Sequence, residues 1–174
     1  TRKADEALLD QFIEAVSSQG TDQVTGVYVP GRFSLPVVHQ PVGNASFVST
    51  ENNNVTQFGT ASIYGTIGLL AHNYLSGAMF FDLRAGDDVV IVYGNKTQVR
   101  YRITQIERYQ ALSPTSIYSD FIEVNDPNQT KLTSIELFQR IYTKDNRLVL
   151  QTCINANNDP AWGRMFVIAE RVGQ

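Results

Sequence analysis

The 174-residue sequence predicts a mainly antiparallel β-barrel or sandwich preceded by one amphipathic helix. Three observations carry this expectation. An apolar stripe at helical spacing runs through residues 4–18 and then stops. From Gly26 onward the chain breaks into short β-prone runs separated by Gly, Pro and Asn. Hydrophobic residues make up 43% of the chain, enough for a core in a domain of this size, which buries roughly 70% of the surface its unfolded chain exposes.

In the first element Leu8, Leu9, Phe12, Ile13 and Val16 share one helical face, while Asp5, Glu6, Asp10 and Glu14 lie elsewhere. Asp5 and Glu6 also suit the positive end of the helix dipole, and Gly20 supplies a stop. Residues 1–20 are therefore read as a helix with a linker, and 21–174 as the β-domain. Candidate strands are 26–30, 33–39, 61–64, 68–72, 87–93, 98–109, 147–153 and 164–171. In the sixth of these, Val99, Tyr101, Ile103 and the neighbouring Gln105 form the inward set, with Arg100, Arg102 and Thr104 facing the other way. Gly94-Asn95 reads as a hairpin turn, because both residues tolerate positive φ. Residues 43–54 are polar and aperiodic and read as a loop. One further helix is expected where Thr133 caps a run containing Glu136, Leu137, Phe138 and Ile141, lying over one end of the barrel.

Composition excludes several classes of function. Fourteen Lys+Arg against seventeen Asp+Glu give a net charge of −3, which argues against nucleic acid as a partner, since that requires clustered positive charge. A single cysteine, Cys153, forbids an intrachain disulfide and a cysteine-rich zinc site, and the two histidines, His39 and His72, make no zinc cage. No metal or other cofactor is required by this reading. No apolar run reaches the roughly 18 residues of a membrane-spanning helix. The sequence opens with Thr rather than Met, consistent with a mature or trimmed chain whose anchor lies outside it.

Three residues have chemistry that a barrel alone does not need. Cys153 ends the run Leu148-Val149-Leu150-Gln151-Thr152-Cys153, where an isolated cysteine reads first as a small buried hydrophobe. His72 closes Gly68-Leu69-Leu70-Ala71-His72, where an imidazole reads first as a hydrogen-bonded rim residue. Arg164 opens the run ending at Ala169, and a hairpin through residues 154–163 returns it beside Cys153. An arginine there is commonly a surface residue. As a set they have another reading, because a thiol nucleophile benefits from an imidazole that exchanges protons and from a permanent cation beside the oxyanion.

The order His72, Cys153, Arg164 in a β-rich chain of this length resembles a sortase. Val149-Leu150-Gln151-Thr152-Cys153 is similar to the family's Thr-Leu-x-Thr-Cys strand, with Val in place of the first Thr. Gly26-Val27-Tyr28-Val29-Pro30 followed by Leu35-Pro36-Val37-Val38 resembles the opening strands. Leu70-Ala71-His72 resembles the segment carrying the histidine, although the family often has Gly before it. Phe80-Phe81-Asp82-Leu83-Arg84-Ala85-Gly86-Asp87 is similar to the turn Phe-x-x-Leu-x-x-Gly-Asp, and Arg164-Met165-Phe166-Val167 to the last catalytic strand. Asp159-Pro160-Ala161-Trp162 is similar to the lid motif of pilus-building sortases but lies between Cys153 and Arg164, so it is not read as a lid.

The resemblance implies a closed eight-stranded barrel with one or two short helices in its connections, and a cysteine transpeptidase acting on the extracellular face of a bacterial cell membrane. It implies that Cys153 attacks a sorting-signal peptide similar to Leu-Pro-x-Thr-Gly in a secreted protein, forming a thioester. His72 would then handle the protons of the leaving and incoming amines, and Arg164 would hold substrate and oxyanion. The acyl group would pass to an amine of the cell wall or of a pilin. Thr152, Leu150, Ala71 and Trp162 are the expected substrate-binding residues. Calcium, which modulates some sortases, has Glu51, Asp120, Glu123 and Asp126 available in loops, without a marked site. Two other readings stay open: a noncatalytic peptide-binding barrel, and a cysteine hydrolase that releases the acyl group to water.

Overall fold

A computed structural model describes residues 2–173; Thr1 and Gln174, the outer ends of the two predicted regions, lie outside them. Helix α1 (Arg2–Val16) buries Phe12 and Ile13 against Tyr28, Val90 and Val92 on the outside of the sheet. The strands β1 (Val24–Val29), β2 (Phe33–His39), β3 (Val55–Gln57), β4 (Thr66–Leu70), β5 (Asp88–Tyr93), β6 (Gln98–Ala111), β9 (Arg147–Ala156) and β10 (Asp159–Arg171) follow one another around a ring in the order β10-β9-β4-β3-β2-β1-β5-β6. Pairing of β6 with β10, from Gly163 opposite Gln110 to Arg171 opposite Tyr101, closes that ring into an eight-stranded barrel. Two short strands, β7 (Phe121–Glu123) and β8 (Lys131–Leu132), continue outward from β6. Among the described residues no helix is long and apolar enough to cross a membrane.

Alternation along the strands sorts side chains between two cores. Val27, Leu35, Leu69, Ile91, Ile103, Leu150 and Val167 fill the barrel. Val149, Phe166 and Ile168 face outward and are covered by Leu137 and Ile141 of helix α3 (Ser134–Tyr142). Each such buried side chain contributes about 1.5–3 kcal/mol relative to exposure. The Thr133 hydroxyl accepts from the Glu136 amide while the Glu136 carboxylate accepts from the Thr133 amide, the predicted capping box. The helix nevertheless packs on the barrel's flank rather than over its end, because its apolar face meets the outward residues of β9 and β10.

Four local expectations change. Residues 61–64 are not a strand. The short helix α2 (Gly59–Ser62) occupies this region, because β3 pairs directly with β4, Thr56 opposite Leu70, and leaves residues 58–65 to bridge them. Strand β3 itself falls just beyond the predicted loop 43–54; its Thr56 and Gln57 hide the period-two pattern. In β6, Thr104 is an extra residue between Ile103 and Gln105, which pair with the consecutive Ala169 and Ile168. The bulge turns Gln105 out to solvent and brings Ile106 onto the core. In the β5–β6 turn the positive φ falls on Lys96, at 72°. Gly94 is needed there for a different reason: a Cβ on it would lie 2.2 Å from Thr21 Oγ1. The predicted hairpin after Cys153 is present and tighter than expected. Asn157 and Asn158 both adopt positive φ, as a two-residue turn requires.

Candidate active site

Strands β4 and β9 run parallel, and their register ends with Leu70 opposite Gln151. Two further bonds extend the pairing by one residue. The Ala71 amide donates to Gln151 O at 3.2 Å, and the Thr152 hydroxyl donates to Ala71 O at 2.7 Å. Cys153 is the next residue on β9, and His72 the next on the chain leaving β4. On the opposite edge of β9, Cys153 pairs directly with Arg164 of β10. Since Leu150 and Thr152 point into the barrel, Gln151 and Cys153 alternate to its outer surface. Cys153 and Arg164 therefore sit side by side on β9 and β10, His72 follows two residues after the end of the adjoining β4, and each of the three is half-buried.

The chain beyond β4 is folded tightly around this point. The His72 carbonyl accepts from the amides of Leu75 and Gly77. A Cβ on Gly77 would stand 2.3 Å from Thr152 Oγ1 and 2.7 Å from the carbonyl oxygens of Ala71 and His72, so only glycine lets this turn press against the thiol strand. The His72 ring stacks on Tyr74, centroids 5.1 Å apart and planes 23° from parallel. Asn73 Nδ2 donates to Pro160 O at 2.9 Å, tying the histidine loop to the β9–β10 hairpin. Arg164 Nη1 donates to Ala161 O and Gly163 O, and Nη2 donates to Pro114 O at 3.1 Å. Of its five N–H groups, Nε–H and one on Nη2 take part in no hydrogen bond among the described residues.

Beside Arg164 lies a hollow of about 420 Å³. Its floor is Leu70, Gln151 and Phe166, Arg164 stands at its edge, and Phe138 and Ile117 contribute to its walls. The Tyr142 hydroxyl donates to Gln151 Oε1, and burial raises that phenol far above its ordinary range.

The predicted substrate-binding residues fare differently. Ala71 and Thr152 are buried backing to the site and engage each other. Leu150 is fully buried inside the barrel and offers no surface to a peptide. Trp162 lines a separate hollow with Ile122, Glu123 and Asp126, on the far side of the hairpin. The residues missed by sequence reasoning are Leu70 and Gln151. The signal was available, since positions two before His72 and Cys153 share their outward face. No group of three or more His, Cys, Asp or Glu side chains gathers as a metal site among the described residues. Of the loop acids named for calcium, Asp126 instead accepts from the amides of Asn128 and Thr130, bonds that hold its carboxyl below the usual range.

The sortase-domain family model matches residues 30–172. The chain belongs to the sortase family. Solved sortases share its fold at low sequence identity. Sortase C1 of Streptococcus agalactiae superposes with a TM-score of 0.53 at 13% identity, covering 99% of this chain and 89% of that one. Sortase C of Clostridium perfringens gives 0.53 at 14% identity over 98% and 91% of the two chains. Sortase A of Listeria monocytogenes gives 0.51 at 15% over 88% and 89%. No curated protein matches the chain.

Proposed function

We propose that this sortase is a cysteine transpeptidase in which Cys153 is the nucleophile, His72 the proton carrier and Arg164 the oxyanion donor. The observation that supports this most directly is the pairing of Cys153 with Arg164 on β9 and β10, with His72 just past the end of the adjoining strand β4 and an apolar hollow beside Arg164. The Cys153 sulfur attacks the scissile carbonyl of a sorting-signal peptide, and the tetrahedral oxyanion is met by the unengaged N–H groups of Arg164. Collapse breaks the C–N bond, His72 delivers a proton to the departing amine, and a thioester remains. An incoming amine of the cell wall or a pilin then gives its proton to His72 as it attacks, forming a new amide and freeing the thiol. Dividing one amide exchange into two acyl transfers lowers each barrier. The hollow floored by Leu70, Gln151 and Phe166 receives the apolar Leu-Pro part of the signal. Family membership supports action at the outer face of a bacterial membrane.

Intact mass spectrometry of the protein with a labelled Leu-Pro-x-Thr-Gly peptide tests this. A thioester adduct is expected on the native chain, absent from Cys153→Ala, and converted to a new amide on adding a primary amine. An adduct that survives Cys153→Ala overturns the assignment, and release of free acid alone, with amine present, makes the protein a hydrolase.

A further inference from the structure

The alternation that fills the barrel with apolar side chains changes character at the end remote from Cys153. On β10 the inward residues Met165, Val167 and Ala169 are followed by Arg171; on β2, Leu35 and Val37 by His39; on β5, Val89 and Ile91 by Tyr93. On β6, Tyr101 takes the inward place before Ile103 and pairs with Arg171 across the barrel seam. These side chains line a hollow of about 490 Å³, roughly 23 Å along β10 from Arg164 at strand spacing.

Several polar groups in this hollow are already engaged. His39 Nε2 lies 2.7 Å from Val24 O, and a carbonyl only accepts, so that nitrogen carries the proton. Gln40 donates to Ala45 O and Phe47 O and accepts from the Gly59 amide. The groups left over include the acceptor oxygens of Gln23, Gln57 and Asn146, and three donors that stand close together on the inward face. Tyr101 is 4% exposed, yet its hydroxyl makes no hydrogen bond among the described residues and, opening into the hollow, is not sealed in the core. Tyr93 is likewise unengaged. Arg171 meets no carboxylate within ion-pair distance among the described residues, and its charge acts on both phenols. The one carboxylate in the lining is Asp22.

Two phenolic O–H groups and a guanidinium without a carboxylate partner among the described residues line the same recess. We propose that this mouth of the barrel binds a small oxyanion, a phosphate or carboxylate group, held by Arg171, Tyr101 and Tyr93. A guanidinium meets either group with two parallel hydrogen bonds, and the phenols supply neutral donors to the remaining oxygens. The site is independent of the transpeptidase reading, because none of these residues approaches Cys153.

The test is titration of the native chain with inorganic phosphate and, separately, acetate at constant ionic strength in chloride, followed by the NMR signals of the Arg171 guanidinium and the Tyr93 and Tyr101 rings. Saturable shifts of these signals are expected with at least one anion. Arg171→Gln is expected to weaken binding at least tenfold and Tyr101→Phe severalfold, with Cys153 adduct formation unchanged in both. Preference for phosphate or for acetate identifies which group the site takes. Shifts that rise linearly without saturation, that are equal in chloride alone, or that saturate at undiminished affinity in a folded Arg171→Gln or Tyr101→Phe variant overturn the proposal.

Discussion

Thr152 reaches the candidate site through the backbone that follows another strand. Its side chain is 2% exposed, and its hydroxyl donates to Ala71 O, one residue before His72. Thr152→Val keeps the shape but leaves that carbonyl short of a donor, at a cost of about 1–3 kcal/mol. The expected outcome is a lower urea midpoint together with slower adduct formation, because the turn carrying His72 loses its fastening, and Thr152→Ser should restore both. Loss of stability without slowing would show that the bond serves the fold alone. At this scale the sequence was informative about which residue types matter and less so about where they point. The grouping of Cys153, His72 and Arg164 as a candidate site rests on the resemblance that their order carries. Leu150 was drawn into the site because it belongs to the motif, whereas strand alternation turns it into the core and presents Gln151 instead. Trp162, expected as a wall of the groove, lines another hollow instead, beside the irregular register between Asp159 and Gly163.

Helix α1 is held to the barrel by shape at one point. Gly26 in β1 lies under the Phe12 ring so closely that a Cβ would stand 2.7 Å from it. Gly26→Ala should therefore lift the helix while leaving the barrel closed, since β1 keeps its pairing with β2 and β5. Hydrogen exchange should show accelerated exchange of the α1 amides and unchanged protection in β9 and β10; uniform acceleration would mean that the helix and barrel unfold as one unit. Elements with a local chemical signature were legible in advance, as the capping box at Thr133 and the apolar stripe of α1 show. Those defined by tertiary pairing were not. Strand β3 has three residues with two polar side chains, and its identity comes from lying between β2 and β4. The bulge at Thr104 is set by the partner strand and leaves no mark in its own sequence.

Across the molecule the buried phenols fix the alkaline limit of stability. Desolvation raises the pKa of Tyr28, Tyr93, Tyr101, Tyr109 and Tyr142 above the ordinary 10.0, that of Tyr101 to about 12. Above pH 10 the unfolded chain loses these protons while the folded chain keeps them, so folding stability is intact below that pH and falls as pH rises toward 12 and beyond. Each proton of difference tilts stability by about 1.4 kcal/mol per pH unit. Urea midpoints measured from pH 9 to 12 should fall with increasing steepness, less so in Tyr101→Phe; a flat profile would contradict the burial of these rings. The barrel as a whole was legible because its inward residues are so uniformly apolar, and its closure followed from resemblance rather than from any single strand.

The hydroxyl bond from Thr152 to Ala71 joins positions 81 apart in the chain, and with the β4–β9 pairing beside it brings the turn that carries His72 to the strand that carries Cys153. Contacts of such span form late, after the entropy of closing the intervening loop has been met. On the proposed mechanism a nascent or half-folded chain thus carries a dormant thiol, and acyl transfer awaits the final zipping of the sheet.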